Sequence, residues 1–375
     1  MTSLLLSVSG VFSYIGYILL ALGALLFLVM VHELGHYTAG KILGFKINEF
    51  SIGFGPKIFQ KKKKNGELFT LRVIPLGGYC AFDGEDEDGD SPTAFNKQKP
   101  WKRLIVLVSG VLFNFLVAVL CSFFLLTCFG YEKVEVSHIN SNSINHEILY
   151  EGDIIYGIDG TEFDFVKDNY FSLLLSEYSN SADFKASEFM VDGSTYREIP
   201  MNIKRGKEEI VVNVRLKMFE VDGEEVWSFL SDIDSTSDFD FDNAKSTIWE
   251  ALGECWTFSF RWSYKILIIL GDLFTGGIPI KDLGGPVTTI KVMADTTQQS
   301  ISSLFILLPV IAVNLAVFNI LPIPSLDGAR MVFVAIEWVR GKPIKREIEG
   351  RIHAIGLMLL FGFVILVDVL HFVLW

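Results

Sequence analysis

The sequence predicts a polytopic α-helical membrane protein of four transmembrane helices, with a large acidic domain inserted between the second and third. Half of the 375 residues are hydrophobic and 32 are phenylalanine, a composition far from that of ordinary soluble proteins. Four apolar segments reach the length of about twenty residues that a bilayer requires. They are residues 11–31, 104–130, 301–321 and 355–375.

The first span, extended to about residue 36, ends in the motif His32-Glu33-Leu34-Gly35-His36 and carries no formal charge before His32. Histidines at positions i and i+4 lie roughly 6 Å apart on one helix face, so both imidazoles can reach one tetrahedral ion. Glu33 is then a candidate general base for the attacking water. The alternative is that these residues merely end a helix at the membrane interface. Because ionisable groups inside a membrane segment are costly, the spacing favours a metal site.

The topology follows from the distribution of lysine and arginine. The loops at residues 37–103 and 322–353 are rich in basic residues, so the positive-inside rule places both in the cytosol. Both termini and residues 131–300 are then extracytoplasmic, and the first span is a retained signal anchor because it lacks a basic n-region and a cleavage site. The four lysines at 61–64 could instead form a nucleic-acid patch, but in a membrane chain topology is the favoured explanation. The net charge of −12 also argues against nucleic acid as a partner.

A fifth apolar stretch, residues 247–274, approaches spanning length but contains five charged residues among its aromatic ones. This pattern favours an amphipathic helix in the interface. A fifth span would also place Asp327 on the other side of the membrane from His32, about 30 Å away. Four spans are therefore favoured if Asp327 is a metal ligand.

The assignment of Asp327 rests on the segment at residues 319–328, Asn-Ile-Leu-Pro-Ile-Pro-Ser-Leu-Asp-Gly. A catalytic zinc site has three protein ligands and one open position, and the first motif supplies only two. Pro322 and Pro324 break the helix and leave carbonyls that a hydrated cavity must satisfy. The alternative is a proline-rich helix exit in which Asp327 caps the next helix.

Taken together, these motifs resemble the site-2 protease family of intramembrane zinc metalloproteases, in particular the bacterial regulator of sigma-E protease branch. The resemblance covers nearly the whole chain and includes six motifs in the family's order. They are HELGH at 32–36, FSIGFGP at 50–56, IPLGGY at 74–79, SGVLFN at 109–114, DLGGPV at 282–287 and NILPIPSLDG at 319–328.

The resemblance implies that His32, His36 and Asp327 bind Zn²⁺ while Glu33 activates the attacking water. It also implies that Asn319 helps to hold the substrate and that Asn114 supports the catalytic core. An asparagine amide can engage a peptide backbone that has unwound for hydrolysis. For Asn114, a hydrogen bond between neighbouring helices is the structural alternative.

The family also implies a cytosol-side, membrane-associated β-hairpin within residues 37–103. Residues 68–75 have strand propensity, and Gly77-Gly78 after them is a turn signal. An extended substrate could pair with this strand, so Gly77 and Gly78 are candidate substrate-binding residues.

Residues 131–220 are expected to form an extracytoplasmic PDZ-like α+β domain. The segment 151–160 resembles the PDZ signature, with Asp159 in place of the usual asparagine, and a pair of strands is expected around residues 204–207. No peptide-carboxylate loop is evident, so the domain is expected to act mainly as a size filter. Residues 221–300 are assigned to an acidic linker and the interfacial helix. The membrane core comprises residues 1–130 and 301–375.

The expected function is regulated intramembrane proteolysis in a bacterial cytoplasmic (inner) membrane. The expected substrates are single-pass membrane proteins already shortened by an upstream site-1 protease, such as an anti-sigma factor, or residual signal peptides. A Ste24-like protease would take its third ligand from a downstream glutamate, and a di-iron desaturase needs more than the six histidines present. A non-catalytic membrane adaptor remains open, but it has no need of Glu33.

Overall fold

The structure is a computed structural model that divides into two compact units. The first unit comprises residues 1–124 and 252–375, and the second comprises residues 125–251. The residues that the structure describes are 2–85, 89, 91–129, 131–136, 139, 143–162, 178, 182–221, 224–228, 240–244, 247–276, 284–299 and 302–374. Residues 229–239, within the segment predicted as an acidic linker, lie outside them, as do residues 282–283 of the DLGGPV motif.

The first unit is helical apart from one β-hairpin. Its helices are α1 (Thr2–Leu43), α2 (Pro100–Phe124), α4 (Ile248–Thr275), α5 (Pro286–Gln299), α6 (Ser302–Ile320), α7 (Asp327–Arg340) and α8 (Arg346–Leu374). The first turn of α4, residues 248–251, belongs to the second unit. Three helical stretches in the described part of the chain are long and apolar enough to cross a membrane: Gly10–Leu43, Pro100–Cys128 and Arg346–Leu370. They correspond to the first, second and fourth predicted spans.

The predicted third span coincides with α6, whose apolar stretch Leu304–Ile320 is shorter than the other three. Helix α6 contains Pro309 and ends at Ile320, just before Pro322 and Pro324. Proline lacks the N–H that a helix needs and clashes with the preceding turn. Four spans thus remain a prediction, as does the interfacial position of α4.

The helices pack through a buried apolar cluster drawn from five of them. Helix α6 contributes half of it through small and branched side chains, which let neighbouring backbones approach closely. The buried members are Ala21, Leu28, Ala118, Ile266, Met293, Leu304, Leu308, Ala312, Val313 and Val317.

The hairpin consists of β1 (Ile47–Lys62) and β2 (Leu68–Phe82), and it curls back on itself. Residues 49–52 of β1 are opposed both by residues 78–81 and by residues 68–71 of β2. The chain reverses at residues 63–66, where Gly66 takes φ of +88°. The turn predicted at Gly77-Gly78 is therefore wrong: both glycines lie inside β2, because the curl needs residues without a Cβ there.

The space around these two glycines explains the curl. A Cβ on Gly78 would lie 2.5 Å from the carbonyl oxygen of Ser51 and 2.7 Å from the sulfur of Met30. A Cβ on Gly77, whose φ is +141°, would lie 2.7 Å from the ring of Phe54. Glycine tolerates both the backbone angle and the close approach.

The second unit contains an eight-stranded antiparallel sheet. Its strand order is β10–β3–β4–β7–β8–β9, with β5 paired to β4 and β6 paired to β7. Its elements are β3 (Tyr131–Glu135), β4 (Ile154–Ile158), β5 (Thr161–Glu162), α3 (Ala182–Ala186), β6 (Phe189–Val191), β7 (Ser194–Arg205), β8 (Glu208–Val221), β9 (Glu224–Ser228) and β10 (Asp240–Ala244). The pair of strands expected around residues 204–207 is confirmed, since Arg205 pairs with Glu208.

The aspartate of the PDZ-like signature, Asp153, has a structural role in this unit. Buried Asp153 accepts two hydrogen bonds from Arg205, at 2.9 and 2.7 Å, and one from the backbone N–H of Tyr150 at 2.9 Å. This bidentate pair ties the segment before β4 to the end of β7. The antiparallel sheet and this ion pair agree with the predicted inserted β domain. The assignment of that domain as PDZ-like stays a prediction.

Candidate metal centre

Three ligand atoms from two distant helices meet at one point. The Nε2 atoms of His32 and His36 are 3.1 Å apart, and Oδ2 of Asp327 lies 2.9 Å from the first and 3.2 Å from the second. Ligands about 2.0–2.1 Å from a tetrahedral zinc ion lie about 3.3 Å from one another. Both histidines are buried, and no other such group occurs among the described residues. The geometry therefore fits a zinc ion bound by these three side chains.

The protonation of His36 is fixed by helix α2. Its Nδ1 lies 2.8 Å from the carbonyl oxygen of Val106. A carbonyl only accepts, so Nδ1 carries the proton and donates it. The Nε2 lone pair of the neutral ring is then directed at the metal position, which is how outer contacts tune metal-binding histidines. Nδ1 of His32 is buried and has no protein partner in the described part of the chain.

Two glycines allow α1 and α2 to approach closely at the site. A Cβ on Gly35 would lie 2.4 Å from the carbonyl oxygen of Ser109. A Cβ on Gly110 would lie 2.5 Å from Nε2 of His36 and 2.7 Å from Cε1 of His32. The imidazoles thus occupy the space where a side chain at position 110 would be.

Asp327 reaches the histidines because the chain reverses tightly between α6 and α7. Asp327 is the first residue of α7, and the N-cap is Leu326, which makes no side-chain cap. A Cβ on Gly328 would lie 2.1 Å from the carbonyl oxygen of Leu321, so only glycine fits after Asp327. The carboxylate thus lies at the histidines and does not cap the helix, contrary to the alternative interpretation.

Glu33 lies between the metal site and the hairpin. Its Oε2 accepts a hydrogen bond of 2.9 Å from the backbone N–H of Cys80 in β2. The hairpin edge therefore orients the candidate base, and the other carboxylate oxygen of Glu33 makes no hydrogen bond among the described residues.

A cavity of about 230 Å³ opens beside the three ligands. It brings together four of the predicted site residues besides His32: Glu33, Asp327, Asn114 and Asn319. The amide of Asn114 is fully buried, and neither its nitrogen nor its oxygen has a protein partner among the described residues. The structure therefore does not show the interhelical hydrogen bond that was the alternative role for Asn114. Gly77 and Gly78 do not line this cavity.

Comparison with known proteins identifies the family. The sequence model of peptidase family M50 matches residues 20–363. The chain belongs to peptidase family M50, the site-2 protease family. The match spans both halves of the membrane unit and the inserted unit between them, in agreement with the predicted resemblance.

Relatives of this M50 member carry matching names. CPE1693 of Clostridium perfringens is 28% identical over 94% of this chain and 97% of its own length, and FN1322 of Fusobacterium nucleatum has the same values. Both are named as candidate zinc metalloproteases. The chloroplastic protein ARASP2 of Arabidopsis thaliana, named as a candidate membrane metalloprotease, is 28% identical over 88% of this chain and 74% of its own length. The chain is therefore a membrane-associated zinc metalloprotease.

Sequence reasoning missed several groups of this site. The carbonyl of Val106 and the N–H of Cys80 are backbone groups, so residue identity carries no signal for them. The role of Gly110 was readable in principle, because small residues mark close helix crossings. Ser325, which also lines the cavity, gave no signal.

Proposed function

We propose that this M50 member is an intramembrane zinc metalloendopeptidase that cleaves single-pass membrane proteins. One observation carries the proposal: two histidines on α1 and an aspartate on α7 bring three ligand atoms within 3.2 Å of one another. The histidines lie in a helix apolar enough to cross a membrane. Placing ionisable side chains in such a helix costs free energy, so their presence there indicates a functional site.

The proposed roles of the side chains follow from their positions. His32, His36 and Asp327 hold the zinc ion, which when bound supplies Lewis-acid activation of water and of the scissile carbonyl. Glu33 takes the proton from the attacking water and passes it to the leaving nitrogen. The hydrogen bond from Cys80 orients Glu33 for this transfer.

The proposed substrate contacts are polar and lie at the cavity wall. The amide of Asn114, which has no partner among the described residues, provides both donor and acceptor groups for an unwound peptide, and Asn319 lines the same cavity. The β2 strand, including Gly77 and Gly78, offers its outer edge to an extended substrate by strand addition. Such backbone pairing supports cleavage without strict sequence preference.

The proposed substrate class is a membrane segment left after a site-1 protease has removed the bulky ectodomain. An anti-sigma factor or a residual signal peptide belongs to this class. In this proposal four helices span a bacterial cytoplasmic membrane, with both termini outside, and the metal site lies toward the cytosol. The inserted unit, as a PDZ-like domain, excludes substrates with large ectodomains.

The test compares purified wild type with Glu33→Gln and Asp327→Ala. Each is assayed for cleavage of a model single-span substrate without an ectodomain and for zinc content by elemental analysis. We expect about one zinc per wild-type chain. Glu33→Gln should retain the metal and lose cleavage, whereas Asp327→Ala should lose the metal.

Three results would contradict the proposal. Wild-type turnover by Glu33→Gln would remove the role of the general base. Full zinc occupancy in Asp327→Ala would point to another ligand and reopen the five-span topology. Absence of both metal and cleavage in every protein would favour the non-catalytic adaptor.

A further inference from the structure

We propose that His353 is a positioning residue that fixes the backbone before Asp327 and so sets the third metal ligand. This inference rests on the proposed function, because it takes Asp327 to be a ligand. His353 lies on α8, 26 residues after Asp327 along the chain. The contact that carries the inference is a hydrogen bond of 2.9 Å, in which the backbone N–H of Ser325 donates to Nδ1 of His353.

Ser325 has an unusual backbone conformation. Its φ is +83°, in the left-handed region that residues with a Cβ rarely adopt. Such a conformation persists only where the surroundings hold it, and it often marks a functional site. Ser325 lines the same cavity as His32, Glu33 and Asp327. If Ser325 returned to a common backbone conformation with negative φ, the following peptide units would rotate. The carboxylate of Asp327, two residues further along the chain, would then move.

Helix α8 holds this segment at a second point. A Cβ on Gly356 would lie 2.1 Å from Cβ of Pro324, so the proline ring packs directly on the α8 backbone. Gly356 lies three residues after His353, so both contacts come from the same face of α8. One face of α8 thus provides both a polar acceptor and a close-packed surface for residues 324–325.

The ring of His353 is itself placed by packing. Its centroid lies 5.5 Å from that of Phe333 on α7, and the side chain is half-buried. Because Nδ1 accepts from Ser325, this nitrogen carries no proton. The imidazole therefore acts through backbone geometry and not as a metal ligand: His353 is not in the ligand group.

The test uses His353→Phe, which keeps a ring against Phe333 but removes the acceptor, and His353→Asn, which keeps an acceptor near the same position. Zinc affinity is measured by competition with a chelator, and amide hydrogen exchange is measured on the Ser325 peptide in metal-free protein. We expect His353→Phe to lose about 10–100-fold in zinc affinity and to exchange faster at Ser325. His353→Asn should stay near wild type in both measurements.

A second substitution separates backbone positioning from general packing. Glycine adopts positive φ without a Cβ penalty, so Ser325→Gly in the His353→Phe background should recover much of the zinc affinity. Ser325→Ala is the matched control, because it also removes the hydroxyl but keeps the Cβ, and it should not rescue. Equal effects of the two substitutions would overturn the proposal, as would unchanged affinity and exchange in His353→Phe.

The outcomes also distinguish this inference from the proposed function. If Asp327→Ala keeps full zinc, the ligand assignment fails regardless of His353. The exchange rate at Ser325 in metal-free protein still reports the His353 contact in that case.

A second variant covers the case in which His353→Phe does not fold. His353→Gln moves the acceptor by one methylene, so its zinc affinity should be lower than that of wild type, but by less than the roughly 10–100-fold expected when the acceptor is removed. Wild-type affinity in His353→Gln together with faster exchange would contradict the coupling.

Discussion

Oε2 of Glu33 accepts a 2.9 Å hydrogen bond from the backbone N–H of Cys80, so the proposed base is joined to a strand edge 47 residues later. Proline at position 80 would remove this N–H, and prolines are tolerated on strand edges that do not pair through that group. We expect Cys80→Pro to retain zinc and to lose about tenfold or more in kcat, because a positioned base contributes about 10²–10⁴-fold.

The matched control is Cys80→Ala, which keeps the N–H and should leave kcat near wild type. Zinc content and single-turnover cleavage are measured on both proteins. Equal kcat in the two variants would show that the hydrogen bond does not orient Glu33.

The second prediction concerns the crossing of α1 and α2. In Gly110→Ala the new methyl group would lie 2.5 Å from Nε2 of His36, so the imidazole must move. We expect zinc affinity to fall by about 10–100-fold, measured by chelator competition. Gly23→Ala is the control, since nothing lies within 4 Å of a Cβ there. A loss of affinity in Gly23→Ala as large as in Gly110→Ala would refute this explanation.

The third prediction concerns the hairpin turn. Glu67 is buried, pairs with Lys41 on α1, and accepts a 2.6 Å hydrogen bond from Lys63. Although burial alone would raise its pKa, the hydrogen bonds from the two lysines prevail and lower it from 4.5 to about 2. Because the folded-state pKa is depressed, this stabilisation is present above about pH 4.5 and is lost as the pH falls toward 2.

The measurement is amide exchange at residues 63–67 as a function of pH, corrected for intrinsic rates. Protection should fall between pH 4.5 and 2 in wild type. Glu67→Gln should already be less protected at pH 7, by about 1.5–3 kcal/mol for hydrogen bonds to a charged group. A Glu67→Gln protein with wild-type protection at pH 7 would contradict the prediction.

The fourth prediction explains a charge inside an apolar helix. Asp368 on α8 is buried and accepts hydrogen bonds from the N–H groups of Val287 and Thr288, at 3.2 and 3.1 Å, in the first turn of α5. It therefore acts as an N-cap supplied by another helix. We expect Asp368→Leu to destabilise the protein by about 1–2 kcal/mol, measured by thermal unfolding in detergent.

Asp368→Asn keeps one acceptor oxygen and should lose only part of that stability. Cleavage per zinc-loaded chain should change little in either variant, because Asp368 is not among the residues that line the metal cavity. An Asp368→Leu protein as stable as wild type would exclude the capping role.

The sequence was most informative where residue identity and helical period determine geometry. The i, i+4 spacing of His32 and His36 and the helix break at Pro322 and Pro324 made Asp327 a candidate third ligand, and the resemblance to the site-2 protease family implied that all three side chains bind one ion. Backbone partners such as the carbonyl of Val106 have no residue signature and could not be predicted. Gly77-Gly78 was misread because a glycine pair that signals a turn also permits a curled strand. The number of spans stays a prediction because hydropathy alone does not decide whether α6, a helix of 19 residues, crosses the membrane. The interfacial position of α4 stays a prediction as well.

The separation of the ligands has a consequence for biosynthesis. His36 and Asp327 are 291 residues apart, with the whole inserted unit between them. At about 5–20 residues per second, a ribosome reaches Asp327 on the order of 15–60 seconds after His36. Two histidines alone do not complete a three-ligand site. Under the proposed function, a nascent chain therefore has no complete zinc site, and no proteolytic activity, until nearly all of it has been synthesised.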